Sequence, residues 1–191
     1  MDKIRDRIIE EVRPIYNNSP HYTLTIWRHV SRVAQHAKEL AMKMDANQFI
    51  AEVGGFLHDV GAAKYGKENH HITGVQEASC ILLKCECPTH LIGPILSSIY
   101  SHRGSERMVF QVPEAKCVAA ADALEHFQNL EELWRVFVED RKTLELEVYQ
   151  VISAKLKRDW EKIDPQLKAF INESYDLACK ELLEIASRKL S

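Results

Sequence analysis

The chain has 191 residues, 46% of them apolar and 28% charged, with a formal net charge of −3. That length buries a core without disulfides or structural metal, and the slightly acidic balance excludes extended nucleic acid held by a bulk basic footprint. No apolar run approaches the ~18 residues of a membrane span, residues 1–7 are too charged for a secretory signal, and five irregularly spaced cysteines are expected as reduced thiols in a cytoplasmic protein.

The pattern is helical throughout: glycine (seven) and proline (six) are few, and alternating β-branched runs are missing. Ile4, Ile8, Ile9 and Val12 predict a short amphipathic opening helix, punctuated by Ser19-Pro20. Leu24, Trp27, Val30, Val33, Ala37, Leu40 and Ala41 predict a helix over about 23–44. The next, about 46–57, is small and apolar through Val53-Gly54-Gly55-Phe56-Leu57 and is expected to be buried on most sides. Residues 61–68 predict a loop, with Asn69 as N-cap of a helix holding Val75, Ala78, Ile81 and Leu82. Pro88 opens another helix ending near Ser101, and residues 104–112 are expected as a polar loop. Pro113-Glu114 starts the helix that carries Ala119-Ala120-Ala121-Asp122-Ala123-Leu124. From 130 to 190 the chain is charged and helical, with Asp164-Pro165 as a cap and first turn between two helices. Its apolar stripe (Leu133, Val136, Phe137, Val148, Val151, Ile152) is expected to pack on the first half. The expectation is one all-α domain over 1–191.

Nine histidines lie between positions 21 and 126. His29 sits inside an amphipathic helix, and His58-Asp59 ends an apolar helix before a glycine. His70-His71 opens the next helix, and His102 closes the one after. Asp122 lies among alanines. Alone, each has an ordinary explanation as a surface, capping or turn residue. Asp122 carries more weight, because an ionised carboxylate in an apolar interior costs on the order of several kcal/mol unless something positive lies beside it. A divalent cation that also takes His29, His58 and Asp59 is the economical answer. Imidazole and carboxylate donors suit borderline ions, and no cysteine lies close in sequence to offer the thiolates of a closed structural site.

In Trp27-Arg28-His29-Val30, Gly54-Gly55-Phe56-Leu57-His58-Asp59-Val60-Gly61, His70-His71-Ile72-Thr73-Gly74, Ser101-His102-Arg103-Gly104 and Ala119-Ala120-Ala121-Asp122-Ala123, the sequence resembles the HD-domain superfamily of metal-dependent phosphohydrolases. The resemblance spans about 23–127. It implies an HD-domain helical bundle, here with additional C-terminal helices over about 130–190 packed on it. It also implies a divalent metal (Fe, Mn, Co, Ni, Zn or Mg) held by His29, His58, Asp59 and Asp122. In two-metal members two more histidines join. His102 resembles one; the other is His70, four residues before Gly74, with the adjacent His71 left open. Asp59 would then lie between the ions. The implied reaction is hydrolysis of a phosphate ester or nucleotide phosphate linkage by metal-activated hydroxide, with Asp59, Arg103 and Lys64 as expected catalytic residues. The implied substrate is a small phosphorylated compound or nucleotide; no membrane partner is expected, and a homodimer is left open. Two alternatives are a di-iron oxygenase of the same fold and a non-catalytic nucleotide-binding module.

Overall fold

The computed structural model describes residues 1–22, 26–103 and 109–190. Among these there is no strand, and no helix is long and apolar enough to cross a membrane. The fold is all-α, a helical bundle with additional C-terminal helices packed on it. In chain order the helices are α1 (Asp2–Asn17), α2 (Ile26–Lys43), α3 (Gln48–Leu57), α4 (Val60–Tyr65), α5 (His70–Lys84), α6 (Thr89–Ser101), α7 (Pro113–Gln128), α8 (Leu130–Arg135), α9 (Glu145–Lys162) and α10 (Pro165–Lys189). A π-helical turn, Val136–Asp140, continues α8.

α2, α3 and α7 form the centre. α2 lies against both of the others, and α7 is also covered by α6, α9 and α10. An alanine-rich helix suits that place, because small side chains let neighbours approach from every side. One apolar cluster runs through α1, α3, α5 and α6 around Val12, Leu57, Leu82 and Ile99. The other joins α2 and α7 to α8, α9 and α10 around Phe127, Trp134, Leu156 and Leu182. Of the expected C-terminal stripe, Leu133, Phe137, Val148 and Ile152 are buried, with Val136 and Val151 half-buried at its edge.

Two glycines set the crossings that matter for the site. A Cβ on Gly55 would lie 2.5 Å from the Ala34 Cα, so α2 and α3 touch backbone to backbone. A Cβ on Gly61 would collide with the Gly74 amide and the His70 carbonyl, so α4 starts against α5. These contacts carry His29 to His58, and Asp59 to His70.

One local expectation is corrected, and another holds in position but without its side-chain bond. Residues 61–68 are not all loop: Val60, Ala62 and Ala63 are fully buried against neighbouring helices and form the short α4, ended by Gly66 at φ 90. Polar loop punctuation in the sequence hid this short apolar stretch. Asn69 precedes α5 but does not cap it through its side chain. It adopts the left-handed conformation (φ 50), and its carbonyl accepts from the Ile72 and Thr73 amides. Asp164 does cap α10, its carboxylate accepting from the Gln166 amide at 3.0 Å. The expected loop 104–112 and the start of the expected second helix fall partly on residues outside those described.

Candidate metal centre

Six predicted side chains converge. α2 brings His29, the α3–α4 junction brings His58 and Asp59, the start of α5 brings His70, the end of α6 brings His102, and the middle of α7 brings Asp122. The four imidazoles share one arrangement. His58 Nδ1 lies 2.7 Å from the Gly55 carbonyl, His70 Nδ1 2.9 Å from that of Lys67, and His102 Nδ1 2.6 Å from that of Ile99. His29 Nδ1 lies 2.5 Å from Glu125 Oε2. Carbonyls and carboxylates only accept, so each Nδ1 carries the proton and donates. Each Nε2 therefore offers a lone pair when the ring is neutral.

Those Nε2 atoms face one another. His29 and His58 stand 3.3 Å apart, and His70 and His102 3.2 Å apart. Two lone pairs at that distance repel unless a proton or a cation lies between them. Asp59 stands between the two pairs, Oδ1 3.6 Å from His70 Nε2 and 3.7 Å from His102 Nε2, Oδ2 3.9 Å from His58 Nε2. Asp59 Oδ1 is buried and has no hydrogen-bond partner among the described residues. Asp122 Oδ1 lies 3.5 Å from His29 Nε2 and 3.8 Å from His58 Nε2. A convergent nitrogen and oxygen donor set, with the remote nitrogen of each histidine already committed, fits a divalent ion. The chain thus holds side-chain groups positioned for metal, and Asp59 belongs to two of them.

The electrostatics follow from burial and from a few fixed charges. Burial keeps His58 and His70 neutral, lowering them to about 3 and about 4. At His29 burial acts the same way, but the charges of Glu125 and Asp122 outweigh it and raise the imidazole to about 10. An ion at Nε2 therefore competes with a proton there. Burial also opposes the Asp59 and Asp122 carboxylates, yet Lys67 and Lys162 respectively lead the interactions that hold both well below the usual range.

The cationic neighbour inferred for Asp122 is in part a lysine. Lys162 of α9 donates to Asp122 Oδ2 at 2.7 Å, so the cost of burying that carboxylate does not by itself require a metal. Oδ1 is the oxygen turned towards the histidines. Lys64 is not brought to the site: its ammonium donates to Glu77 at 2.7 Å in an exposed pair. Lys67 from the same segment reaches in and donates to Asp59 Oδ2 at 3.1 Å. Arg103 lines the cavity over the site, with Nη1 3.2 Å from His71 Nδ1. The adjacent histidines thus part: His70 faces His102, while His71 meets Arg103 and packs its ring on Tyr100.

Several residues at the site were absent from the sequence-derived set. Glu125 holds His29 and is itself held by Arg32 at 2.5 Å. His126 stacks on His29, with Nε2 3.6 Å from Asp122 Oδ1 and Nδ1 3.0 Å from Asp159 Oδ2. Lys155, Asp159 and Lys162 come from α9. The signal available for Glu125 and His126 was spacing: three and four residues after Asp122, they share its helix face.

The HD domain family model matches residues 26–126, more than half of the chain. The chain belongs to the HD-domain family. Its fold is similar to the crystal structure of Bacillus subtilis YpgQ, with a TM-score of 0.72 at 18% identity over 97% of this chain and 95% of that one. The HD domain of the L. monocytogenes phosphodiesterase PgpH aligns less well. Its TM-score is 0.41 at 16% identity over 95% of this chain and 98% of that one. Its complex with cyclic-di-AMP gives 0.42 at 16% identity over 95% and 97%. No curated protein matches the chain.

Proposed function

We propose that this HD-domain chain is a metal-dependent phosphohydrolase that cleaves a phosphate ester or a nucleotide's phosphate linkage. One observation carries the reading. Candidate metal donors and cationic side chains share a single cavity of about 170 Å³, in which Asp59, His70, His102 and Asp122 meet Arg103, Lys155, Arg158 and Lys162. Cationic walls over a metal floor fit a phosphoryl group, whose oxygens arginine forks and lysines both bind. The same walls call for an anionic substrate in either chemistry, so oxygen uptake is the measurement that separates hydrolysis from the di-iron oxygenase alternative.

In this reading His29, His58, Asp59 and Asp122 would hold one ion, and His70 and His102, again with Asp59, would hold a second. The nitrogen-rich set favours manganese, iron, cobalt, nickel or zinc over magnesium. When bound, such ions make hydroxide available near neutral pH and polarise a phosphoryl oxygen. The protein's own part is to keep the site charged and oriented. Lys67 and Lys162 keep the two carboxylates ionised, Glu125 fixes the His29 ring, and Arg103 presents a guanidinium to the non-bridging oxygens. Arg103 and Asp59 stay as proposed catalytic residues, and Lys64 drops out.

The test is turnover of a panel of phosphomonoesters, phosphodiesters and nucleotides with each of these metals and magnesium added. Metal-dependent release of phosphate or nucleotide is expected, abolished by His58→Ala and Asp59→Ala. Full activity in either variant, or oxygen uptake in place of hydrolysis, contradicts the assignment.

A further inference from the structure

The basic wall of the cavity is larger than one phosphoryl group requires. Six lysines and arginines line it, and the three lysines among them are paired with carboxylates. Lys67 pairs with Asp59 at 3.1 Å, Lys155 with Asp159 at 2.9 Å and Lys162 with Asp122 at 2.7 Å. The remaining three are guanidinium groups. Arg103 stands beside His71 and directly follows His102, next to the metal donors. Arg141 and Arg158 are exposed, line the same cavity, and form no ion pair among the described residues.

These two reach the cavity from separate elements. Arg158 lies on the face of α9 that also carries Lys155, Asp159 and Lys162, a spacing of three, four and seven residues that points all four one way. Arg141 follows the π-helical turn. Its amide donates to the Val136 carbonyl at 3.1 Å, and its guanidinium lies over the Phe137 ring, 4.2 Å from the centroid. Stacking of that kind orients an arginine without consuming its hydrogen-bond donors. π-Helical turns recur at functional sites. Both arginines lie outside the matched region 26–126, so the C-terminal helices complete the site as well as the core. Arg141 and Arg158 carry like charges that no carboxylate among the described residues pairs with, and an anion entering the cavity relieves their repulsion.

We propose that Arg141 and Arg158 form a subsite for an anionic group beyond the phosphoryl group over the metal centre, so that the preferred ligand carries two or more linked phosphates. This rests on the phosphohydrolase reading for the position of the first phosphoryl group. The probes are inorganic phosphate, pyrophosphate and tripolyphosphate, titrated by calorimetry into the metal-loaded full chain at a fixed free metal concentration. The variants are Arg141→Gln, Arg158→Gln and the double substitution. Lys157→Gln, an exposed charge on another face of α9, controls for net charge.

Tripolyphosphate is expected to bind tighter than phosphate by roughly tenfold or more, the effect of one or two charged hydrogen bonds. That preference should collapse towards one in the double variant, with phosphate affinity and metal content retained, and persist in Lys157→Gln. Absence of the preference in the unmodified chain, or its survival in the double variant, overturns the proposal. Failure of the phosphohydrolase reading shows separately, as a lack of turnover in the ester panel while the binding preference is still measured.

Discussion

Glu125 illustrates how much of this centre is decided by a single side chain that touches no candidate ion position. It fixes the tautomer and orientation of His29 and is itself braced by Arg32. Outer-sphere carboxylates of this kind are worth about 10- to 100-fold in metal affinity. Glu125→Gln is therefore expected to weaken metal binding by about that factor while the chain stays folded, as read by calorimetric metal titration beside circular dichroism. Unchanged affinity would show that His29 needs no such support. A second expectation concerns protons. His58 and His70 titrate at about 3 and about 4 when folded and near 6.5 when unfolded. Between those values the unfolded chain binds more protons, so stability falls as the pH drops below about 6.5. His29, raised to about 10, is protonated in both states below 6.5 and contributes nothing to that fall. Most carboxylates are ionised in both states at pH 5. The urea midpoint of the metal-free chain should thus be lower at pH 5 than at pH 6.5; equal midpoints would mean that these imidazoles are not buried neutral.

At the scale of helices, the site depends on two close crossings. Gly61→Ala forces a methyl group into the backbone of α5, and Gly55→Ala forces one into α2. Overpacking of this kind costs about 1–3 kcal/mol or more, and here it also separates His58 and Asp59 from their partners. Gly93 in α6 is the contrast, because nothing lies within 4 Å of an added Cβ. Gly93→Ala should be neutral or stabilise by up to ~1 kcal/mol. Thermal melts of the three variants check this, and a Gly61→Ala protein as stable as the original would contradict the crossing. The helices themselves were legible because amphipathic spacing and the Pro113, Pro88 and Asp164-Pro165 punctuation are local signals. α4 was missed because its three buried apolar residues are fewer than one period of the pattern. The left-handed turn at Asn69 was missed because asparagine suits both a cap and positive φ.

For the molecule as a whole, the order of His29, His58-Asp59, His102 and Asp122 along the chain was enough to pick out side chains that converge in space. The same sequence left His70 and His71 undivided, since adjacent helix residues differ only in the direction they face. Lys64 was expected at the site, and only packing shows that it pairs outwards with Glu77 while Lys67 of the same segment pairs inwards with Asp59. The α9 side chains were illegible for a related reason: Lys155, Arg158, Asp159 and Lys162 form a charged stripe that reads as a solvated face until α9 is laid against α7. We propose that these helices assemble two adjoining metal sites that share Asp59. This is tested most directly by measuring bound metal per chain in the manganese- or iron-loaded protein, alongside Asp59→Ala. Two equivalents per chain are expected, with both weakened when Asp59 is removed. Failure to hold stoichiometric metal, or an Asp59→Ala protein that binds both ions as tightly as the original, would contradict it.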